Sequence, residues 1–228
     1  THHVAWYDNR GIAGSERGNK NWPTITDFAA DGLRVLDSLG WHDGAHIVGV
    51  SMGGMIAQEL VLKAPDRCAS LTLIATHAGG GVFMKIPPFP GVIRFLGSFW
   101  MPKAFRVRSI RGILYPPAYL NTMDQQALAD RINLQLGRPT PKIMLLRQVQ
   151  AVMRFNATNR LSGITLPTLI IRPGLDILVS PKHSDRLKRL LPNNEVVEFP
   201  EAGHGVIFQC APRLNTVISE HVAAQGVA

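Results

Sequence analysis

Short apolar runs alternate along the chain with longer stretches in which apolar residues recur at helical spacing. The apolar runs predict five buried strands, at residues 3–7, 46–50, 70–75, 166–172 and 194–199. The helical spacing predicts helices at residues 25–39, 52–64, 122–137 and 180–191, with two more that begin near residues 140 and 212. A chain of 228 residues with 46% hydrophobic content can bury one substantial core, so we expect a single domain.

The first predicted helix carries its own start and stop signals. Thr24 and Asp27 have the spacing of a capping box, in which each side chain bonds the backbone N–H of the other residue. Gly40 follows the last apolar position, where glycine commonly ends a helix. Ser180 followed by Pro181 marks the start of another helix. These signals indicate helices that pack against a core and carry no chemistry.

The positive charge of the chain is concentrated in one central segment. The net charge is +8, and residues 82–160 contain twelve basic and two acidic side chains. Basic chains often bind nucleic acid, but no recognised nucleic-acid-binding motif is present, so we expect no nucleic-acid partner. Cys68 and Cys210 are too few for a disulfide framework, and we expect two reduced thiols.

A serine bounded by glycines lies between the predicted strand at residues 46–50 and the helix that follows it. The sequence Gly-Val-Ser-Met-Gly occupies residues 49–53. A turn this sharp strains the backbone of the serine, and side chains at Gly49 and Gly53 are expected to collide with it. The strain exposes the Ser51 hydroxyl, and the free N–H groups of the helix N-terminus point to the same place. The pattern is that of a nucleophile elbow.

Two later loops supply the other groups that an activated serine needs. Asp176 follows an apolar strand and a glycine-containing turn, and His204 lies between two glycines after the last predicted strand. The elbow followed by an acid and a histidine, in this chain order, resembles the α/β-hydrolase superfamily and its serine esterases and lactonases. The resemblance runs from residue 4 to about residue 222. It implies an α/β fold, with a mostly parallel sheet flanked by helices and a helical cap inserted.

The resemblance implies a role for each of these residues. Ser51 is expected to be the nucleophile, His204 the general base and then the general acid, and Asp176 the carboxylate that orients the imidazole. The backbone N–H of Met52 is expected to donate to the oxyanion. No metal and no cofactor are implied. Dehalogenases and epoxide hydrolases of the family have aspartate in the place of Ser51, so the serine favours chemistry through an acyl-serine.

Other polar residues have simpler interpretations. Asp8 and Arg10 lie in a loop rich in Gly and Ser, where such side chains usually hold backbone groups. His77 opens a His-Ala-Gly-Gly-Gly run that we interpret as a hinge of the cap. Substrate contact by His77 is the alternative, because it lies just past the carboxyl end of a strand. His183 and His221 are expected on helix surfaces.

The family resemblance divides the chain into a core and a cap. Residues 1–81 and 162–228 are expected to form the core, and residues 82–161 the helical lid. One interpretation of the basic segment is a mobile lid that lines an apolar acyl pocket and contacts a membrane surface weakly. The other is a solvated basic face over an ordinary apolar interior, since basic charge alone attracts membranes weakly. The aromatic residues of the segment are Phe83, Phe89, Phe95, Phe99, Trp100 and Phe105.

The resemblance also leads to an expectation about the N-terminus. Residues 3–7 are similar to the fourth strand of the family sheet, whose order is 1-2-4-3-5-6-7-8. We therefore expect an N-terminally truncated core that lacks the first three strands and the second oxyanion donor. Exposed strand edges should then make the chain fold poorly, and its activity should be low. The alternative is a five-stranded sheet in which residues 3–7 pair directly with residues 46–50.

Two functions of different classes follow from these residues. The first is hydrolysis of a carboxylic ester, lactone or thioester through an acyl-serine, with a small-molecule ester or acyl compound as substrate. The alternative is a non-catalytic or weakly catalytic ligand-binding or receptor module on the same fold, in which the cap moves on ligand capture. Keeping three strained or costly catalytic groups favours the enzyme. A cytoplasmic location is expected for this hydrolase.

Overall fold

A four-stranded parallel sheet organises the fold. The computed structural model describes residues 2–80, 90–98, 100–136 and 141–226. The sheet order follows the chain, β1-β2-β3-β4, which confirms the α/β class and the parallel sheet. The strands are β1 Ala45–Val50, β2 Cys68–Ile74, β3 Thr168–Pro173 and β4 Asn194–Phe199.

Helices fill the connections between these strands. Those close to the sheet are α1 Ile25–Ser38, α2 Met52–Lys63, α8 Pro181–Leu190, α9 Val206–Gln209 and α10 Ala211–Ala223. Those between β2 and β3, which we call the helical segment, are α3 Pro90–Ser98, α4 Lys103–Leu114, α5 Pro117–Thr122, α6 Gln125–Leu136 and α7 Lys142–Arg154. Within the described residues, no helix is both long and apolar enough to cross a membrane.

Both faces of the two central strands are covered. On one face, Leu71 and Ile170 pack into a core that includes residues of α1, α2 and α8. On the other face, Ile171 belongs to a second core with Phe199 and Leu214 of α10. Alternation along a strand sends successive side chains to opposite faces, so a nearly continuous apolar run needs both. Each fully buried side chain of this size contributes about 1.5–3 kcal/mol relative to exposure.

The prediction of a strand at residues 3–7 is wrong. This segment has no regular secondary structure, and Trp6 within it is 84% exposed. Among the described strands, β1 pairs with β2 alone, so the alternative ladder between residues 3–7 and 46–50 is also wrong. A strand needs a neighbour for its backbone N–H and C=O groups. No strand of the described sheet pairs with residues 3–7, and the segment therefore stays irregular.

The two ends of the helical segment meet in a short stem. Gly79 and Asn156 form an antiparallel bridge, and the N–H of Ala157 donates to the C=O of Ala78 at 2.9 Å. The stem agrees with the expected cap boundaries near residues 81 and 162, which stay a proposal.

The sequence patterns described the interior of this segment less well. Helices α3 and α4 were not predicted from the basic and aromatic run. The helix predicted from residue 122 begins at Gln125, because Thr122 is the last residue of α5, and Asp124 caps α6 by accepting from the N–H of Ala127 at 2.9 Å. Three aromatic residues of the basic segment, Phe83, Phe89 and Phe99, lie outside the described residues. The same holds for the predicted helix boundaries at Gly137 and Thr140.

Among the described residues of the helical segment, seven large apolar side chains are exposed to solvent. Four lie near its start, Ile93, Trp100, Met101 and Phe105, and three lie in α7, Ile143, Leu146 and Met153. Membrane contact through this basic and aromatic surface stays a prediction.

The capping box of α1 is confirmed. The Thr24 hydroxyl accepts from the Asp27 N–H, and the Asp27 carboxylate accepts from the Thr24 N–H at 2.7 Å and from the Lys20 ammonium at 2.7 Å. Partial burial of Asp27 raises its pKa, but these hydrogen bonds outweigh burial and lower the pKa to about 2. Gly40, at φ +68°, ends the helix as predicted.

We predict that Asp27→Asn destabilises the protein by about 1 kcal/mol near neutral pH. A carboxyl whose pKa is lowered on folding stabilises the native state above its unfolded pKa of 3.8, and this contribution is lost as the pH falls toward about 2. The difference between wild type and variant in urea unfolding should therefore narrow below about pH 4. Asp66→Asn, at an exposed acid outside the box, is the matched control. A difference independent of pH would contradict the assignment.

Candidate functional site

Ser51 has the strained backbone that the elbow pattern predicts. It immediately precedes α2 and has φ +53° and ψ −119°, a conformation that a non-glycine residue adopts only when its surroundings enforce it. The Ser51 N–H donates to Ile74 C=O at 2.9 Å, and the Thr76 hydroxyl donates to Ser51 C=O at 2.7 Å. The end of β2 therefore holds the turn that carries the serine.

One of the two predicted glycine constraints is correct, and the other belongs to a different residue. A Cβ on Gly49 would lie 2.4 Å from the C=O oxygen of Gly53, so only glycine fits there. A Cβ on Gly53 itself would meet nothing within 4 Å. The second close approach is at Gly54, where a Cβ would lie 2.6 Å from the Thr76 side chain. The helix packs on the strand one residue later than the motif suggested.

Asp176 is buried in the loop after β3, and its carboxylate is fully engaged. Oδ1 accepts from the N–H groups of Leu178 and Val179 at 2.8 and 2.9 Å. Oδ2 lies 2.7 Å from Nδ1 of His204. Backbone donors stabilise the ionised carboxylate and fix its plane, so one oxygen remains for the histidine.

His204 lies in the loop between β4 and α9 and is also buried. Because its Nδ1 faces a carboxylate, the neutral ring carries its proton on Nδ1, and Nε2 is left as the basic nitrogen. Backbone bonds tie the two loops together, from Gly174 N–H to Phe199 C=O at 2.9 Å and from Leu175 N–H to Ala202 C=O at 2.8 Å. The loops that carry Asp176 and His204 are thus held together.

Ser51, Asp176 and His204 lie beyond the carboxyl ends of β1, β3 and β4, at the same edge of the sheet. Among the hydrogen bonds of the described residues, none joins the Ser51 hydroxyl to His204. Catalytic hydrogen bonds are often long in unliganded enzymes and tighten around the substrate. Met52 begins α2, and the N–H groups of a first helical turn have no partner within the helix.

A cavity of about 230 Å³ opens beside Ser51. Its walls come from the elbow, from the end of β2, from the loop after Asp176 and from α3 and α7 of the helical segment. Ten of its described lining residues are apolar, and none carries a formal charge. The cavity is lined by Ser51, Met52, Met55, His77, Phe95, Leu96, Leu145, Gln148, Val149, Val152, Met153, Leu178 and Val179.

His77 lines this cavity and is 2% exposed. The N–H of Gly79 donates to its Nδ1 at 2.9 Å, which places the ring proton on Nε2. Burial, together with the neighbouring His183 and Arg186, lowers the pKa of His77 to about 3. The ring is therefore neutral at ordinary pH. Its C=O accepts from the Gln58 amide, so its place at the start of the stem is fixed from both sides.

The surface position predicted for His183 is wrong. The side chain lies on the inner face of α8, and its ring centroid is 5.3 Å from that of His77. Helical periodicity shows which residues share a face of α8. It does not show that the face with His183 packs against His77 and is therefore buried. His221 is half-buried rather than exposed.

The remaining polar candidates are structural. Arg10 forms a two-pronged ion pair with Asp31 at 2.6 Å, and the C=O of Asp8 accepts from the Ser15 hydroxyl. These contacts agree with turn chemistry, as expected. Both cysteines are free thiols. Nowhere in the described part of the chain do three His, Cys, Asp or Glu side chains group in a way that could hold a metal.

Comparison with known proteins agrees with this geometry. The chain matches the family model described as alpha/beta hydrolase fold over residues 1–210. It is 31% identical over 204 residues to a protein of Azorhizobium caulinodans named as a carbamate hydrolase, covering 89% of this chain and 74% of that protein.

Two solved structures are similar over nearly the whole chain. One, from Mycobacterium tuberculosis and named as a non-heme bromoperoxidase, has a TM-score of 0.78 and 25% identity and covers 96% of this chain and 81% of that one. The other, an enol-lactonase of Burkholderia xenovorans, has a TM-score of 0.79 and 21% identity and covers 95% and 79%. At 21% identity the second likeness concerns the fold alone.

We predict that His77→Asn reduces the acid sensitivity of the fold. A histidine whose pKa drops from 6.5 to about 3 on folding binds its proton better in the unfolded chain, so stability falls as the pH drops through this window. Asparagine keeps an acceptor for the Gly79 N–H and cannot be protonated. The free energy of unfolding, measured in urea, should fall less steeply with decreasing pH in the variant. The difference in slope is at most about 1.4 kcal/mol per pH unit.

The exposed His42 provides the matched control for this experiment. His42→Asn should leave the slope of stability against pH close to that of wild type. Equal slopes for wild type and His77→Asn between about pH 6 and pH 4 would show that His77 is not buried in its neutral form.

Proposed function

The chain belongs to the α/β-hydrolase family, and we propose that it hydrolyses a carboxylic ester, lactone or thioester through an acyl-serine intermediate. The observation that supports this most is the buried His204–Asp176 pair, held 2.7 Å apart beside the edge of the sheet that carries a strained Ser51. A structural ion pair would not need a serine at φ +53°, which costs on the order of 1–3 kcal/mol.

The proposed mechanism follows from the hydrogen bonds of the pair. Nε2 of His204 takes the hydroxyl proton as the Ser51 oxygen attacks the substrate carbonyl, and Asp176 stabilises the imidazolium that forms. The same nitrogen then returns the proton to the leaving group, and an acyl-serine remains. Water attacks this intermediate in a second half-reaction with His204 again as base, releasing the acid and free Ser51.

Met52 is proposed to stabilise the oxyanion through its backbone N–H. This group lies at the positive N-terminus of α2, directly after the nucleophile. Donors fixed in this way need no reorganisation as charge develops, and one such donor typically contributes about 3 kcal/mol.

The cavity supports an uncharged, largely apolar acyl group as the part of the substrate that is buried. Its described walls carry no formal charge that could pair with a carboxylate or an ammonium group, and a buried unpaired charge is costly. Two polar side chains remain, His77 and Gln148, and we propose that His77 contacts the substrate. Its tautomer makes it a hydrogen-bond donor at Nε2. The helical segment supplies one wall, which is the role proposed for it as a cap.

Carbamates are a second candidate substrate class. The relative at 31% identity is named as a carbamate hydrolase. A carbamate carbonyl can be attacked by the same serine, with the same base and oxyanion donor. It therefore belongs in the first substrate panel beside the esters.

We predict that Ser51→Ala abolishes turnover, with a fall in kcat of about 10⁶-fold, and that Asp176→Asn lowers kcat by about 10⁴-fold. p-Nitrophenyl esters, a lactone, a thioester and a carbamate form the panel. A fluorophosphonate should label wild type at Ser51 and leave Ser51→Ala unlabelled. Ser38→Ala, which alters an exposed serine at the end of α1, is the control and should behave as wild type.

Wild type without turnover and without labelling would overturn the hydrolase proposal. Ligand-dependent hydrogen exchange in the helical segment that persists in Ser51→Ala would then favour the ligand-binding alternative.

We also predict a preference for uncharged acyl chains. The p-nitrophenyl ester of hexanoic acid should exceed the mono-p-nitrophenyl ester of adipic acid by at least about 100-fold in kcat/KM, because the second ester must bury a carboxylate. The two acyl chains have the same number of carbons, so they match in length. A preference for the charged ester would show that a cation outside the described walls serves the pocket.

A further inference from the structure

The helical segment contacts the histidine loop at both glycines that flank His204. The Gly205 N–H donates to Leu114 C=O at 2.8 Å. A Cβ on Gly205 would lie 2.4 Å from Cε1 of Tyr115, and a Cβ on Gly203 would lie 2.6 Å from the Leu114 C=O oxygen. Three consecutive residues of the helical segment, 114–116, therefore lie directly against the backbone of the general base.

We propose that residues 114–116 position the imidazole of His204, with Tyr115 as the main positioning residue. This inference rests on the proposed function, since it concerns how the base of that reaction is held. Tyr115 is not a catalytic group. Its ring acts through the backbone of the loop, by limiting where Gly205 can lie and hence where the neighbouring imidazole points.

Residues 114–116 are themselves rigidly held. Tyr115 is buried and packs with Leu128 and Ile132 in a small core within the helical segment. Its N–H ends α4 by donating to Arg111 C=O at 2.9 Å. Pro116 follows, with φ fixed near −63°, immediately before α5. A helix end on one side and a proline on the other leave this short strip little freedom.

Other contacts hold the imidazole of His204 and its loop from a different side. Nδ1 of His204 is bound to Asp176, and the Gly203 N–H donates to the Gln209 side chain at 3.0 Å. The guanidinium of Arg131 in α6 lies 4.8 Å from the ring centre of Phe208, which follows the loop in α9. The loop of Asp176 thus fixes Nδ1 of His204, while the helical segment fixes the backbone from which the imidazole extends.

The glycine at 205 is required by this contact and not by its own backbone. Its φ is −80°, which alanine adopts without strain. The space for a methyl group is occupied by the Tyr115 ring. Gly205→Ala must therefore displace either the loop or the ring, and a displacement of about 1 Å at a catalytic group can lower turnover about 100-fold.

The test is a double-mutant cycle of Gly205→Ala and Tyr115→Val. Valine removes the ring atoms that meet the new methyl group and suits the extended backbone at position 115, where φ is −127° and ψ is 136°. Gly205→Ala should lower kcat and the rate of Ser51 phosphonylation by about 10- to 100-fold, with KM changed by less than about 3-fold. The double variant should recover at least about 3-fold over Gly205→Ala and stay below wild type, because Tyr115→Val alone removes the ring that positions the loop.

Two matched variants separate positioning from general damage. Tyr115→Phe keeps the ring that meets the added methyl group, so it should not rescue Gly205→Ala, in contrast to Tyr115→Val. Gly163→Ala adds the same methyl group where a Cβ meets nothing within 4 Å, and it should behave as wild type. Rates are expressed per site titrated with fluorophosphonate, so that unfolded protein does not enter the comparison.

A readout that needs no turnover completes the experiment. The His204 Nδ1–H, bonded to Asp176, should give a low-field proton NMR signal in wild type. The signal should exchange faster with water in Gly205→Ala and recover in the double variant. This result would support the positioning role even if the wild-type protein proves inactive. An inactive wild type would overturn only the proposed function.

Two results would overturn the inference while leaving the proposed function intact. One is an active wild type for which Gly205→Ala matches Gly163→Ala in kcat and in proton exchange. The other is a double variant that falls below Gly205→Ala in kcat and in protection of the Nδ1 proton, because the ring would then not be what the added methyl group displaces.

Discussion

The parallel alignment of β1 to β4 is the constraint on which the candidate site depends. Their registers bring Val50 beside Ile74, and Pro173 beside Phe199, so the carboxyl ends of all four strands lie at one edge of the sheet. Ser51, Asp176 and His204 each follow one of these ends by a few residues. Residues separated by more than a hundred positions in sequence are therefore brought to the same edge of the sheet without any loop having to cross the protein.

Two unfavourable features sit at this edge, and both are offset by hydrogen bonds. The positive φ of Ser51 is held by β2 through Ile74 C=O and the Thr76 hydroxyl. The buried carboxylate of Asp176 is held by two backbone N–H groups of its own loop. Strain and buried charge persist only where the surroundings over-determine them. Hydrogen bonds at the end of β2 and within the loop after β3 thus stabilise the arrangement of the candidate site.

Local sterics and short-range caps were predictable from the sequence, whereas features that depend on distant neighbours were not. Gly49 and the Thr24–Asp27 box follow from a few adjacent residues. Residues 3–7 were assigned to a strand because their composition suits one, but strand formation needs a partner that composition does not reveal.

The same limit explains the errors within the candidate site. Gly54, rather than Gly53, is the constrained glycine because Thr76 of another segment lies against it. His183 is buried beside His77, which lies more than a hundred positions earlier in the chain. Each error concerns a tertiary neighbour, while the order and identity of the three candidate catalytic residues depend on motifs that are local in sequence.

The helical segment combines two roles that nothing in its sequence links. Helices α3 and α7 line the cavity, while residues 114–116 lie against the histidine loop. One segment therefore supplies both the apolar wall of the cavity and the backbone contacts of the loop that carries the proposed base.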